Sequence, residues 1–206
     1  MRPLAIKVCG MRQADNIQAL AELDIDYMGF IFYEKSKRYT PTSIITELPA
    51  SIKKVGVFVN ASVEDVQNKI NEGLHAVQLH GDESVDFCKA IKTEGILLIK
   101  AFGLHEDINW EDLAPYEKVV DYFLFDTSSA QYGGTGKTFD WALLNKYPYS
   151  TPYFLSGGLD LENLHTALAI SDARLIGLDL NSKFEIEPAL KDINKIKQAL
   201  KIIKDE

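Results

Sequence analysis

Cys9 and Asp126 each close a short apolar run, a position where a side chain able to give or take a proton is hard to dismiss as surface. A lone strand cysteine is ordinarily a small buried hydrophobe. At a strand end, a thiol with an unperturbed pKa of about 8.5 can instead serve as nucleophile or proton carrier. Asp126 follows Tyr122-Phe123-Leu124-Phe125, a run with no charge of its own. Its carboxyl must meet solvent, a hydrogen-bond donor or a ligand, and apolar neighbours favour its protonated form, so a general acid is a natural role. The structural alternative is a cap on the following loop. Glycine and polar residues gather at other run ends: Cys9-Gly10, Asn60, His80-Gly81, Phe102-Gly103, Ser156-Gly157-Gly158 and Asn181-Ser182. Turns of the last two kinds can hold a phosphate on backbone N–H groups, or can simply be tight turns. Lys35-Ser36-Lys37-Arg38 sets three positive charges on one loop, either a solvated face or an attractor of anions. Cys88, beside Phe87 and Ile91 in a helical stretch, reads as core.

Residues so scattered need elements that deliver them to one place. Strand-like runs at 4–9, 27–33, 54–60, 76–79, 96–101, 122–126, 153–155 and 175–180 alternate with segments of helical spacing. Ile17 and Leu20 share a helical face within 14–23, as do Val66 and Ile70 within 63–70. Ser62 with Asp65 resembles a capping box, Asp160 suits the cap of a helix reaching Ile170, and Pro188 suits the first turn of a helix over 188–203. Alternating strands and helices favour parallel strands with crossovers. Eight units of about 26 residues each are near the smallest a βα unit allows. The expected fold is therefore α/β: a closed (β/α)8 TIM barrel of eight parallel strands in an outer ring of helices, one domain over 1–206. In such a barrel these run ends share one face.

Composition narrows the partners. A net charge of −8 gives nonspecific nucleic-acid binding no electrostatic support. No apolar run exceeds four residues, too short for a membrane span, and Lys7 interrupts the only apolar stretch near the start, so a cytoplasmic protein without a signal peptide is expected. Two cysteines 79 positions apart build no disulfide framework. The segment 131–138 ends in Gly-Lys-Thr, yet Gln131 stands where a nucleotide-binding loop needs its first glycine; a glycine-rich loop arching over the barrel mouth fits better. No histidine–aspartate set with metal-ligand spacing stands out.

Six segments in order carry a resemblance. Lys7-Val8-Cys9-Gly10, Gly29-Phe30-Ile31-Phe32 leading to Ser36-Lys37-Arg38-Tyr39, and Val55-Gly56-Val57-Phe58-Val59-Asn60 come first. Val77-Gln78-Leu79-His80-Gly81, Gly133-Gly134-Thr135-Gly136 with Phe139-Asp140-Trp141, and Leu155-Ser156-Gly157-Gly158-Leu159 follow. Together they resemble the phosphoribosylanthranilate isomerases. The resemblance implies a barrel enzyme of tryptophan biosynthesis that uses no cofactor and no metal. It implies Cys9 as general base, Asp126 as general acid, and Arg38 facing the anthranilate carboxylate. His80, Gly157, Gly158, Asn181 and Ser182 become substrate-binding residues, the last four at the phosphate. The partner is a small phosphorylated substrate, with no nucleic acid or membrane, and the chain is expected to be a monomer or weak homodimer. One departure stands out: the family commonly reads Ser-Ser-Gly-Val-Glu after the eighth strand, where this chain has Asn181-Ser182-Lys183-Phe184-Glu185. Lys183 is either an added phosphate ligand or a surface lysine, and the surface reading is preferred. Rival readings are another phosphosugar barrel with a catalytic strand lysine, for which Lys7 and Lys100 are candidates, or a barrel that binds without catalysis.

Overall fold

Alternate residues of each apolar run face opposite ways, and that decides the architecture. In the run at 76–79, Ala76 and Gln78 face one side while Val77 and Leu79 face the other. Both sides are buried, as parallel strands covered on two faces require. The computed structural model describes residues 4–41, 48–126 and 141–204. Its eight main strands are β1 (Ala5–Val8), β2 (Tyr27–Ile31), β3 (Lys53–Phe58), β4 (Ala76–Leu79), β5 (Leu97–Gly103), β6 (Tyr122–Asp126), β7 (Tyr153–Ser156) and β8 (Leu175–Leu180). All eight expected runs form strands, with ends moved by a residue or two. They pair in sequence order, every pair parallel, and β8 returns to β1 to close the barrel.

The barrel interior holds Tyr27, Val55, Ala76, Ile99, Ala101, Leu124 and Phe154. Aromatic rings plug the end where the strands begin: Tyr27 and Tyr122 meet Phe154 edge-on at 5.4 and 5.7 Å between centroids. A second, larger core lies between strands and helices, where Ile6, Val8, Phe30, Leu79, Phe123 and Leu155 meet Ile17, Leu20, Val66, Cys88 and Ile196. Cys88 is core, as expected.

The outer ring departs from a uniform set of helices. The α-helices are α1 (Ala14–Ala21), α2 (Val63–Asn71), α3 (Val85–Ile91), α4 (Leu164–Leu168) and α5 (Ile193–Lys204). After β5 and near the end of the β6–β7 crossover stand 3-10 turns, Trp110–Tyr116 and Trp141–Lys146, instead. Pro115 inside the first lacks the N–H that a longer α-helix would need there. The expected cap at Ser62 forms: its Oγ accepts from the Asp65 N–H at 3.0 Å. Asp160 does not cap α4. It accepts from the N–H groups of Glu162 and Asn163, closing the turn before the helix.

The helix expected from Pro188 begins only at Ile193. Residues 185–191 instead form a small antiparallel hairpin, β9 (Glu185–Glu187) with β10 (Leu190–Lys191). Ala189 at φ +71° turns the chain between them, which no helix accommodates, and Asp192 then caps α5 by accepting from Lys195 N–H at 3.0 Å. The glycine-rich segment 131–138 lies outside the described residues. No described helix is long and apolar enough to cross a membrane.

Gly177 on β8 shows how tightly neighbouring strands fit. A Cβ there would stand 2.5 Å from Phe154 Cε1 and 2.6 Å from the Ala5 carbonyl oxygen. Gly177→Ala should therefore cost about 1–3 kcal/mol, since backbone as well as a ring must move. A urea melt checks this. An unchanged midpoint would mean that β1 and β8 tolerate a methyl group between them.

Candidate active site

A cavity of about 1060 Å³ opens at the ends of the strands. Its wall includes Arg38, His80, Asp126, Gly157, Gly158, Asn181 and Ser182, seven of the eight residues singled out from sequence. Cys9 is the exception. It is 3% exposed and lies off the cavity wall, at the end of β1 where its N–H bonds the Leu180 carbonyl oxygen at 3.0 Å. Lys183 is likewise absent from the wall, which agrees with the surface reading. Its backbone oxygen accepts from Lys195 at 2.5 Å.

Strand register arranges the polar groups. Asp126 on β6 is opposite Ser156 on β7, and Asp179 on β8 is opposite Lys7 on β1. Lys7 and Asp179 form an ion pair at 2.9 Å with side chains 0% and 4% exposed. Ser156 Oγ reaches Asp179 at 3.4 Å. A polar row thus runs across four adjacent strands, from the carboxyl of Asp126 to the Lys7 ammonium and Cys9 one period further along β1.

Charge within the row sets proton affinities. Burial pushes the Cys9 thiol up, and Asp179 adds to this, while the Lys7 and Lys191 ammonium groups oppose it; the net direction is upward. For Lys7 burial pulls downward, but Asp179 and Cys9 outweigh it and its affinity for the proton rises. The Lys7–Asp179 pair thus favours a cation beside the thiol.

His80 shares the inward face of β4 with Gln78. The Gln78 amide nitrogen lies 2.8 Å from His80 Nδ1, and His80 Nε2 lies 3.4 Å from Asp126 Oδ2. The imidazole thus bridges the Gln78 amide on one side and the Asp126 carboxyl on the other. Glu83 ties the adjacent loops, accepting from the N–H groups of Asn60 (2.8 Å) and Gly81 (3.0 Å), with the buried Lys100 ammonium 3.3 Å away. Lys100 thus serves the loop, bonding the Gly81 carbonyl oxygen at 2.7 Å, while also bordering the cavity. Gly157 and Gly158 both have positive φ, +81° and +67°, which explains the glycine pair. The Gly158 carbonyl is held by Asn163 Nδ2 at 2.8 Å.

At the other wall, Arg38 Nε and Nη2 bond Glu185 at 2.9 and 2.6 Å. Lys191 Nζ bonds the same carboxylate at 2.6 Å and Asn181 Oδ1 at 2.8 Å. Position 183 needs no glycine, since among the described non-glycine residues only Asn60 and Ala189 have positive φ. Lys7 entered from sequence only as the strand lysine of a rival barrel, and Gln78, Asp179, Glu185 and Lys191 were not read as site residues. Asp179 could have been, because it breaks an apolar strand on the inward face, as Asp126 and Lys7 do.

Parallel strands closed into a barrel, with ionisable side chains gathered where the strands end, define a (β/α)8-barrel enzyme. A family model described as N-(5'phosphoribosyl)anthranilate (PRA) isomerase matches residues 6–202. The chain belongs to that family, whose members are isomerases of tryptophan biosynthesis. The N-(5'-phosphoribosyl)anthranilate isomerase of Parabacteroides distasonis is 46% identical over 206 residues, covering 97% of this chain and 93% of that one. The crystal structure of phosphoribosyl anthranilate isomerase from Thermotoga maritima is 36% identical with a TM-score of 0.86, covering 98% of this chain and all (100%) of that one. A phosphoribosyl anthranilate isomerase solved with reduced 1-(o-carboxyphenylamino)-1-deoxyribulose 5-phosphate is 34% identical with a TM-score of 0.84, covering 98% and 100%.

Cys9 Sγ has room because β2 carries a glycine beside it. A Cβ on Gly29 would fall 2.6 Å from Sγ and 3.1 Å from Cys9 Cα. Gly29→Ala should displace the thiol; if that thiol takes part in turnover, kcat falls by about 10²-fold, as a shift near 1 Å can cause. Turnover measured beside circular dichroism separates this from unfolding; wild-type kcat would mean Sγ need not stand where it does.

Proposed function

We propose that this barrel converts N-(5-phosphoribosyl)anthranilate to 1-(2-carboxyphenylamino)-1-deoxyribulose 5-phosphate, with Asp126 as general acid and Cys9 as general base. The observation that carries this reading is the polar row joining the two across β6, β7, β8 and β1. An Amadori rearrangement needs one proton delivered and another removed on the same sugar. Asp126 protonates the ribose ring oxygen, and the C1–O bond breaks to leave an open-chain iminium with the anthranilate nitrogen. The Cys9 thiolate then takes the C2 proton, giving an enolamine that tautomerises to the ketose. Each positioned proton transfer contributes typically about 10²–10⁴-fold.

The surrounding residues fit these roles. His80 Nε2, 3.4 Å from Asp126 Oδ2, limits where that carboxyl can turn. The Lys7 ammonium offsets part of the cost of a buried thiolate. Arg38 takes the anthranilate carboxylate, while backbone N–H groups at Gly157, Gly158 and Ser182, with Asn181 beside them, take the phosphate. Both anchors supply orientation without taking part in the proton transfers.

Incubating the protein with phosphoribosylanthranilate and following loss of its fluorescence tests the activity. Asp126→Asn and Cys9→Ala should each lower kcat at least about 10²-fold with little change in KM, while Cys88→Ala stays active. Near-wild-type kcat in either of the first two removes that residue from the chemistry.

The upward push on the thiol also sets a pH dependence. A raised pKa keeps Cys9 protonated, and so unable to accept a proton, to higher pH than a free thiol. The free-enzyme profile of kcat/KM should therefore climb from about pH 7 and still be rising at about pH 9, where a free thiol levels off. A flat profile over that range would contradict Cys9 as the base.

A further inference from the structure

We propose that Glu185, itself held by Lys191, is the positioning residue that presents Arg38 to the substrate's ring carboxylate, an inference resting on the role given to Arg38 above. Arg38 stands on a loop, and its long side chain would sample many rotamers if it were held only at its backbone. Two contacts remove that freedom. Its stem crosses Gly10, where a Cβ would stand 2.8 Å from Arg38 Cδ, so the absent side chain makes the passage. Its head meets Glu185 side-on, through Nε at 2.9 Å and Nη2 at 2.6 Å.

Side-on pairing has a geometric result. A guanidinium has five N–H groups on a planar fork. Glu185 takes the Nε edge, and Nη1 makes no hydrogen bond among the described residues. The Nη1–Nη2 edge is left for a second carboxylate, and Arg38 lines the cavity with its side chain 23% exposed against 4% for Glu185. One arginine can hold a structural carboxylate and a ligand carboxylate at once.

Charge explains Lys191. Glu185 alone would cancel Arg38 and leave a neutral pair with little attraction for an anion. The Lys191 amine, 0% exposed and 2.6 Å from Glu185, adds positive charge to the cluster; burial pulls its proton affinity down and Glu185 opposes that. Burial alone would raise the Glu185 carboxyl, but the Arg38 hydrogen bonds and Lys191 outweigh it and hold it below the usual carboxylate range. The anchor is rooted in the fold: Ala189 N–H, turned by its positive φ, donates to Glu185 at 3.1 Å. The Lys191 backbone in turn exchanges hydrogen bonds with the Asn16 side chain on α1 at 2.8 and 2.9 Å.

The test compares two ligands by calorimetry: reduced 1-(o-carboxyphenylamino)-1-deoxyribulose 5-phosphate, and the same compound with a plain phenyl ring. A charge-assisted contact should make wild type prefer the carboxylated ligand by roughly tenfold to a hundredfold. Arg38→Ala should lose the preference. Glu185→Gln should lose most of it, Glu185→Asp should keep an intermediate share, and Glu185→Gln added to Arg38→Ala should change the ratio no further. A merely structural role would weaken both ligands alike and leave the ratio, and that result in Glu185→Gln overturns the proposal while Arg38 keeps its role. A ratio preserved in Arg38→Ala overturns both readings. If Glu185→Gln fails to fold, Glu185→Asp decides: an undiminished ratio there overturns the positioning role.

Discussion

The Lys7–Asp179 ion pair is the interaction around which this barrel is organised. It joins the first strand to the last, at the seam where the sheet closes on itself. Two charges brought this far from water cost several kcal/mol each before their attraction is counted, and removing one partner of such a pair costs about 3–5 kcal/mol. That is a large part of a typical domain's stability of about 5–15 kcal/mol. Its geometry is imperfect as structure: among the described residues Lys7 Nζ and Asp179 Oδ1 lack well-formed hydrogen bonds, as does Gln78 Oε1 in the same interior. A purely structural interior would be filled with aliphatic side chains. This one places a cation beside a buried thiol, and that is a property of a reactive site.

Stability is recovered at the other end of the barrel. The Tyr27, Tyr122 and Phe154 rings close the interior below the polar row, and the strand–helix core surrounds it. The interior is thus graded along its axis, apolar where the strands start and ionisable where they end. The loops follow the same division of labour. Glu83 with Lys100 stitches the loops after β3 and β4, and Glu185 with Lys191 stitches those after β2 and β8. In both, a buried carboxylate gathers backbone N–H groups and cations, so loops that could wander are fixed relative to the strands.

Much of this was legible in the sequence, because periodicity of two and breaks in apolar runs are local signals. The eight strands followed from them, and six wall residues stood at run ends, Asp126 as a charge ending an uncharged run; the site role of Arg38, on its basic loop, came from the family resemblance. Lys7 and Asp179 obey the same rule but sit mid-strand, where their pairing depends on barrel closure between residues 172 positions apart. Cys9 was expected at the mouth and is instead buried beneath it, its Sγ filling the space that Gly29 of the neighbouring strand leaves, a tertiary fit that no local signal reports. The helix over 188–203 misled because Leu190 matches the apolar spacing of α5. The left-handed turn at Ala189 and the Asn16 bonds to Lys191 are tertiary facts that spacing does not encode.

The order of synthesis gives the C-terminal hairpin one more meaning. A ribosome releases Cys9, Arg38 and Asp126 early, but β8 supplies Asp179 and the seam, and the segment 185–191 supplies the carboxylate and ammonium that seat Arg38. A nascent or prematurely terminated chain lacking these residues has strands that can pair in part but a thiol without its carboxylate neighbour and an arginine without its seat. The seam and the seat of Arg38 thus arrive late and together, with β8 and the hairpin that follows it.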